Sequence, residues 1–467
     1  MQNFLAGYQL SDPTWLYLSF LLILAVYFKF SRIWLLRNLD LLLLLAISPG
    51  VLIVRSLDEN VVERGYMWQF MVSGLLLVRI LMDGLWVRRP RLEQNMNAAG
   101  MSFLCAATVV FLTVKLLTDP IQQARVVSIA AGGEKVADTS AADVVSQSPG
   151  LGVVSDQAVP TVPLDPQAVG PTTELVSHAV GGISKVVTAG NPQDTQEPQR
   201  ILLYTVRIIA ILSHLAVIVG LTLVGRQTFG DPDLGFAMSA LYMILPCTAF
   251  ELGAVNQVLP AALVVWAVYF YRYPIASGSL LGLASGIVFF PVFLLPLWGA
   301  FYGKRGGGRF VFAVMLTTIL IVQAVAFLTQ SAPEAVKNAL GYFQWNSLEW
   351  QATSPKSGFW TQERVVYRIP VVVSYLLMLV ALTIWPRRKS LAQLIPHSAA
   401  IVVGSQFWYP PHGGIYVVSY LPLVLMVMFR PMISNHFAPE IPPIALFRRF
   451  RRTAALKSPD LVEASRV

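Results

Sequence analysis

The chain contains few charged residues and almost no cysteine. Only 13% of its 467 residues are Asp, Glu, Lys or Arg, whereas soluble domains average about 25%. The two cysteines, Cys105 and Cys247, both fall within apolar runs, which indicates small core residues and no disulfide framework. The spacings of a metal site and of a catalytic triad are missing, and the glycine-rich stretch Gly303–Arg309 lacks the Walker arrangement of a phosphate-binding loop. No local motif therefore assigns a reaction.

Long apolar runs are abundant instead. Hydrophobic residues make up 55% of the chain, and its mean hydropathy is +0.61. Runs near 20 residues predict membrane helices, because about 20 residues with a rise of about 1.5 Å each cross the hydrocarbon core. A membrane barrel would show short alternating strands, and these runs are continuously apolar. The sequence therefore predicts an all-α fold, a polytopic membrane helix bundle.

The basic residues predict how this bundle crosses the membrane. The net charge is +9. In a multi-spanning chain Lys and Arg hold loops in the cytoplasm, so we expect no nucleic-acid partner. With the N-terminus outside, Arg387–Lys389 and the basic tail fall inside only if the stretch Ala276–Trp298 forms two short spans broken at Phe290-Pro291. We therefore predict a multi-pass protein of the cell (inner) membrane with a cytoplasmic C-terminus and a short broken hairpin at 276–302.

About thirteen crossings follow from this layout. The predicted spans are 14–30, 40–55, 66–86, 99–117, 201–225, 234–250, 255–271, 276–289, 290–302, 309–329, 366–385, 393–409 and 415–430.

The predicted spans fall into two groups around an unusual loop. Residues 1–117 form an N-terminal four-span membrane bundle, 201–430 a C-terminal membrane bundle, and 431–467 a basic cytoplasmic tail. The loop 118–200 contains no Phe, Tyr or Trp. Without aromatic side chains it has little to bury, so we expect a disordered extracytoplasmic loop, either a tolerated insertion or a partner-binding segment.

Charged and polar residues inside or beside apolar runs are candidates for function, because charge is costly in a membrane. Arg79 and Asp83 are spaced for a mutual pair on one helix face. The isolated His214 and His397 are expected to be packed histidines rather than ligands. Arg207 lies near the outer side, where it meets either a lipid phosphate or Glu251.

Two outer segments are richer in polar or aromatic residues. The turn ELGAVNQ begins at Glu251 and includes Asn256 and Gln257; it is either a site at the mouth of the bundle or a capped, solvated turn. The loop from Gln330 to Gln362 is rich in aromatic residues, which form either a membrane-interface belt or a platform for a sugar or lipid. Among these aromatic residues are Tyr342, Phe343, Trp345, Trp350 and Trp360.

The stretch from Pro246 to Trp298, PCTAFELGAVNQ followed by VLPAALVVWAVYFYRYPIASGSLLGLASGIVFFPVFLLPLW, resembles the centre of a known family. It is similar to C-type integral membrane glycosyltransferases that use polyprenyl-phosphate sugars, in particular their mannosyltransferase-like branch. The segment Trp408–Val427 resembles the last outer turn of these enzymes, and the resemblance covers about residues 200–430. The residues that carry it are Gly253, Asn256, Gln257, Arg272, Gly282, Leu283, Ala284, Pro291, Pro296, His412, Tyr416 and Pro422.

The resemblance implies an enzyme that transfers a sugar from a polyprenyl-phosphate donor at the extracytoplasmic face. Such a reaction needs a carboxylate to deprotonate the acceptor hydroxyl and cations to stabilise the phosphate leaving group. The family places a catalytic acid in an outer loop, and the candidate catalytic residues here are Glu251, Asp58 and Glu59. The candidate substrate-binding residues are Arg207, Asn256, Gln257, Lys356, Arg364, Arg368, His412 and Tyr416.

Two other functions remain open at the level of sequence. One is a non-catalytic membrane scaffold for envelope or polysaccharide assembly, and the other is a transporter, which the lack of internal repeats disfavours. The expected partners are the lipid bilayer and a lipid-linked sugar donor, and nothing indicates an oligomeric state. No cofactor is expected; a divalent metal is compatible with the chemistry, but no ligand pattern indicates one.

Overall fold

A computed structural model describes residues 11–55, 58–85, 91–118, 197–329, 358–409, 416–433 and 436–439. Within these ranges the chain forms helices and no strand, which confirms the predicted all-α class. In chain order the helices are α1 Asp12–Tyr27, α2 Leu36–Val54, α3 Glu59–Leu81, α4 Ala98–Thr118, α5 Glu197–Leu223, α6 Pro232–Ile244, α7 Pro246–Phe250, α8 Val255–Tyr269, α9 Pro274–Ile287, α10 Leu294–Thr329, α11 Arg368–Ile384, α12 Leu391–Ser405 and α13 Val417–Phe429.

Six of the described helices are long and apolar enough to cross a membrane. They include α2, α3 and α4 from the first half of the chain, and parts of α5 and α10 and the whole of α11 from the second. The other apolar helices have 10–17 residues. A membrane helix bundle is therefore confirmed, while the count of about thirteen crossings stays a prediction.

The predicted break in the hairpin lies where the sequence places it. Helix α9 ends at Ile287, a short 3-10 helix covers Phe290–Phe293, and α10 follows directly. Pro291 lacks an N–H and its ring crowds the preceding turn, which favours a break in the helix here. The backbone at the break is largely buried in protein, as irregular backbone must be at membrane depth.

The hairpin returns to the end from which it started. A Cβ added to Gly278 would lie 2.6 Å from the Phe310 carbonyl oxygen, and one added to Gly282 would lie 3.2 Å from Cβ of Thr317. Contacts that advance together along two helices mean that α9 and the second part of α10 run parallel. Between them the chain must reverse, and it does so at Gly303, whose φ of 59° and ψ of −157° suit glycine.

The two predicted bundles pack against each other in the structure. Helix α4 contacts α6, and α3 contacts α12. The two ends of the molecule are marked by charged clusters. We call them the Glu251 end, which includes the start of α1 and the end of α2, and the Arg430 end, where Arg430 pairs with Asp83 at 2.5 Å.

Candidate functional site

Four charged side chains form one network at the Glu251 end. Arg55, just after α2, places Nη2 3.2 Å from Glu251 Oε1 and Nη1 2.8 Å from Asp12 Oδ2. Lys115, in the last turn of α4, places Nζ 2.7 Å from Asp12 Oδ1. We call these four residues the Glu251 network. It joins α1, α2 and α4 to the turn after α7.

The Glu251 network is shielded from solvent and balanced in charge. The side chains of Glu251, Arg55, Lys115 and Asp12 are 3%, 8%, 9% and 16% exposed. Two carboxylates thus face two cations, which offsets the large cost of burying each charge. Arg55 also donates to the Phe250 carbonyl oxygen and lies 5.2 Å from the centre of the Phe250 ring. The network therefore fixes the carboxylate of Glu251 relative to the N-terminal helices.

Short elements place Glu251 and the polar residues that follow it. Pro246 begins α7, and Glu251 follows its last residue as the C-cap. Helix α8 begins at Val255, so Asn256 and Gln257 lie in its first turn. Asn256 is half-buried and Gln257 is 7% exposed. The Gln257 carbonyl oxygen accepts a hydrogen bond of 3.5 Å from Ser419 Oγ, which brings the first turns of α8 and α13 together.

Aromatic rings surround the break in the hairpin. Tyr416, the N-cap of α13, has its ring centre 5.2 Å from that of Phe290 and 5.7 Å from that of Tyr409. Phe289 lies 4.9 Å from Tyr409 and 5.8 Å from Trp408. We call these five residues the break cluster. Since Ser419 contacts α8, the break cluster and Glu251 belong to the same end of the bundle.

Two of the predicted arginines lie beside these groups. Arg368 opens α11, is 1% exposed, and donates from Nε to the Trp408 carbonyl oxygen at 2.8 Å. Arg364 forms an ion pair with Glu63 and lies 5.3 Å from the centre of the Phe359 ring. Arg368 is therefore fixed against the break cluster, while Arg364 ties the start of α11 to α3.

The remaining described candidates lie at the start of α3 and on α5. Asp58 is exposed and caps α3 by accepting a hydrogen bond of 3.0 Å from the Asn60 N–H. Glu59 is the first residue of α3. Arg207 is buried, at 9% exposure, on α5. Lys356 and His412 lie outside the described residues. The structure thus places Glu251, Gln257, Arg368 and Tyr416 at one end, and their function as a common site stays a prediction.

The structure also answers some of the open alternatives. Trp360 is 1% exposed and donates from Nε1 to the Phe407 carbonyl oxygen at 3.1 Å. It therefore belongs neither to a lipid-facing belt nor to an exposed platform. Tyr342, Phe343, Trp345 and Trp350 of that loop lie outside the described residues. His214 is packed as predicted, with Nδ1 3.1 Å from the Tyr242 hydroxyl and Nε2 3.2 Å from the Leu252 carbonyl oxygen.

Sequence analysis did not single out three members of the Glu251 network. Asp12, Arg55 and Lys115 each lie at the end of an apolar run, where a charged residue is expected merely to reach the interface. The predicted order of crossings did contain a signal. Successive spans alternate in direction, so the start of the first span and the ends of the second and fourth spans lie on the same side of the membrane. Within the described residues, no three His, Cys, Asp or Glu side chains are grouped as a metal site requires.

Comparisons of the chain with protein-family models, with curated proteins and with solved structures find no match.

Proposed function

We propose that the chain is an integral membrane glycosyltransferase that uses a polyprenyl-phosphate sugar as donor at the extracytoplasmic face. The observation that supports it is the buried carboxylate of Glu251, held by Arg55 at the same end as the break cluster and Arg368. A fixed carboxylate, aromatic rings and a fixed guanidinium are the groups that sugar transfer from a lipid phosphate requires.

In the proposed reaction Glu251 accepts the proton of the acceptor hydroxyl. The acceptor oxygen forms a bond to the anomeric carbon of the sugar, and the bond from that carbon to the phosphate oxygen breaks. The polyprenyl phosphate leaves with the bonding electron pair, and its added negative charge is stabilised by a cation, for which Arg368 is the first candidate. Asp58, exposed at the start of α3, is the second candidate for the base.

Transfer by the purified protein tests the proposal. The full chain is reconstituted in lipid vesicles with radiolabelled polyprenyl-phosphate mannose or glucose and a lipid extract as acceptor. We expect labelled product from the wild type and at least about a hundredfold less from Glu251→Gln, which keeps the shape of the side chain but removes the base. Glu93→Gln is the matched control: Glu93 pairs with Arg91 and Arg37 outside the Glu251 network, and the variant should retain activity.

A second function is favoured by one observation, the balance of charge within the Glu251 network. Each of its carboxylates has a cation at hydrogen-bond distance, as in a purely structural tie between helices. If the folded wild type transfers none of the sugars tested, the non-catalytic scaffold becomes the better proposal. In that case Glu251→Gln should lower stability, because Arg55 loses one of its two carboxylate partners.

A further inference from the structure

The loop between α1 and α2, residues 28–35, presents apolar and basic side chains together at the surface. Phe30, Ile33 and Trp34 are 67%, 60% and 98% exposed. Lys29 and Arg32 are exposed beside them. A soluble surface seldom shows three large apolar side chains within five residues, so this loop marks a surface that something apolar covers.

Asn38, fully buried near the start of α2, holds the backbone of the loop in place. Its Oδ1 accepts a hydrogen bond from the Lys29 N–H at 3.1 Å. Its Nδ2 donates to the carbonyl oxygens of Lys29, Arg32 and Ile33 at 3.0, 3.1 and 3.1 Å. One amide side chain thus uses both of its polar atoms on the backbone of the loop, which holds the loop in one conformation.

Hydrogen bonds also hold the end of α1, which leads into the loop. Arg37 Nη2 donates to the Tyr27 carbonyl oxygen at 3.1 Å, and Asn95 Nδ2 donates to the Phe28 carbonyl oxygen at 2.9 Å. The Asn95 N–H donates to the Val26 carbonyl oxygen at 2.7 Å. Arg37 and Asn95 therefore satisfy carbonyls that the helix leaves open at and just after the end of α1. Hydrogen bonds thus hold the backbone beneath the exposed side chains of the loop.

The charges on the loop indicate what covers it. Among the described residues, neither Lys29 nor Arg32 forms an ion pair. Phe30 packs on Phe28, with ring centres 5.0 Å apart, so the apolar tip is a compact group. The apolar helix α1 ends at this loop and the apolar helix α2 begins there. The loop therefore lies at the boundary of the bilayer. There, phosphates and acyl chains lie next to each other.

We propose that residues 28–35 form an anchor for anionic phospholipid. Lys29 and Arg32 bind the lipid phosphates, while Phe30, Ile33 and Trp34 enter the layer just beneath them. Each basic side chain near an anionic surface contributes about fivefold in affinity, so the two together distinguish anionic from zwitterionic lipid. The proposal does not depend on the proposed sugar transfer.

The depth of residue 34 in membranes of two compositions tests this proposal. The full chain with Trp34→Cys carries a nitroxide label and is placed in nanodiscs of phosphatidylcholine, or of phosphatidylcholine and phosphatidylglycerol in equal amounts. The native Cys105 and Cys247 are buried and should not react in the folded protein. Power-saturation measurements with oxygen and with a water-soluble nickel complex report the depth of the label. A label at Met432, 69% exposed after α13, is the reference site.

We expect the label at residue 34 to lie deeper in the phosphatidylglycerol discs and the label at residue 432 to stay in place. Lys29→Gln together with Arg32→Gln should remove the difference while keeping the apolar tip. Equal depth in the two membranes, or a label in water in both, would overturn the proposal. A label shielded from both oxygen and nickel would also overturn it, because that result shows cover by protein. Asn38→Leu should make the label more mobile, and the Gln variants remain decisive if it does not fold.

Discussion

At the residue scale, the charges of the Glu251 network depend on one another. Arg55 holds both carboxylates, and Lys115 is a second cation at hydrogen-bond distance from Asp12. Removal of one partner from a buried ion pair leaves a charge in a medium that solvates it poorly. The exposed pair Arg91–Glu93, with side chains 38% and 47% exposed, offers a comparison within the same chain.

We therefore expect Arg55→Gln to lower the free energy of unfolding by about 3–5 kcal/mol. Arg91→Gln should change it by about 1 kcal/mol or less, because water screens an exposed pair. Thermal unfolding of the detergent-solubilised variants, followed by circular dichroism, gives the comparison. Equal effects of the two substitutions would mean that the Glu251 network contributes no more than a surface pair.

A second prediction at this scale concerns Gly303. Its φ of 59° lies in a region that other residues avoid, and a Cβ there would touch nothing within 4 Å. The cost of Gly303→Ala is therefore one of backbone strain alone, about 1–3 kcal/mol. Gly308→Ala is the control, since that glycine also has open space but no positive φ. A loss of stability in Gly308→Ala as large as in Gly303→Ala would contradict this account.

At the scale of elements, α9 and α10 depend on two small residues. Gly278 and Gly282 are four positions apart on α9 and face α10, where their missing side chains let the backbones approach closely. Van der Waals contact between the closely packed backbones stabilises this pair of helices, because the hydrophobic effect cannot drive helices together in lipid. Glycine at these two positions thus allows α9 and the part of α10 after Gly303 to pack closely side by side.

Gly278→Leu should separate α9 from α10 and reduce the yield of folded protein severalfold, because its Cβ would already overlap the Phe310 carbonyl oxygen. Gly299→Ala, where a Cβ meets nothing within 4 Å, should leave the yield unchanged. Size-exclusion profiles of fluorescent fusions measure both. A normal profile for Gly278→Leu would show that the helices tolerate a wider separation.

At the scale of the whole molecule, the reversal of the chain in the broken hairpin determines at which end of the bundle the later basic clusters lie. Since the chain reverses at Gly303, residues after it start from the same end as Pro274. Together with the excess of Lys and Arg at that end, this arrangement predicts a cytoplasmic location for the turn and for the loop before α12.

Labelling of single added cysteines tests the orientation. Gly308→Cys and Arg387→Cys should resist a membrane-impermeant maleimide in intact cells, while Asp58→Cys should react. All three positions are exposed in the protein, so each should react once the cells are opened. Reaction of Gly308→Cys in intact cells, with Asp58→Cys protected, would reverse the predicted orientation.

Another prediction for the whole molecule concerns residues 136–192, which lie outside the described ranges. A segment without aromatic residues has little to bury, so its deletion should leave the protein folded and inserted. The yield and melting temperature of the deletion variant, compared with those of the full chain, measure this. Loss of inserted protein would show that the segment packs as a domain.

The sequence predicted the class of fold and the position of its main break. Apolar runs reveal membrane helices because lipid offers no hydrogen bonds, so each segment must form its own, and this rule acts locally. The break at Phe290-Pro291 was inferred from the distribution of Lys and Arg, which requires two crossings in this stretch. Proline then acts locally, since it changes the backbone at its own position. Even the contact of Arg79 with Asp83, at 3.8 Å, follows from helical spacing.

The choice of partners was decided by the tertiary structure. Arg79 lies 2.7 Å from Asp40, and Asp83 pairs with Arg430, 347 residues away. Likewise Arg55 joins Asp12, 43 residues before it, to Glu251, 196 residues after it. Asn38 and Gly278 also gain their roles only from the segments packed against them. Ion pairs and close contacts act over a few ångströms, so they depend on which helices become neighbours, and no local pattern in the sequence records that.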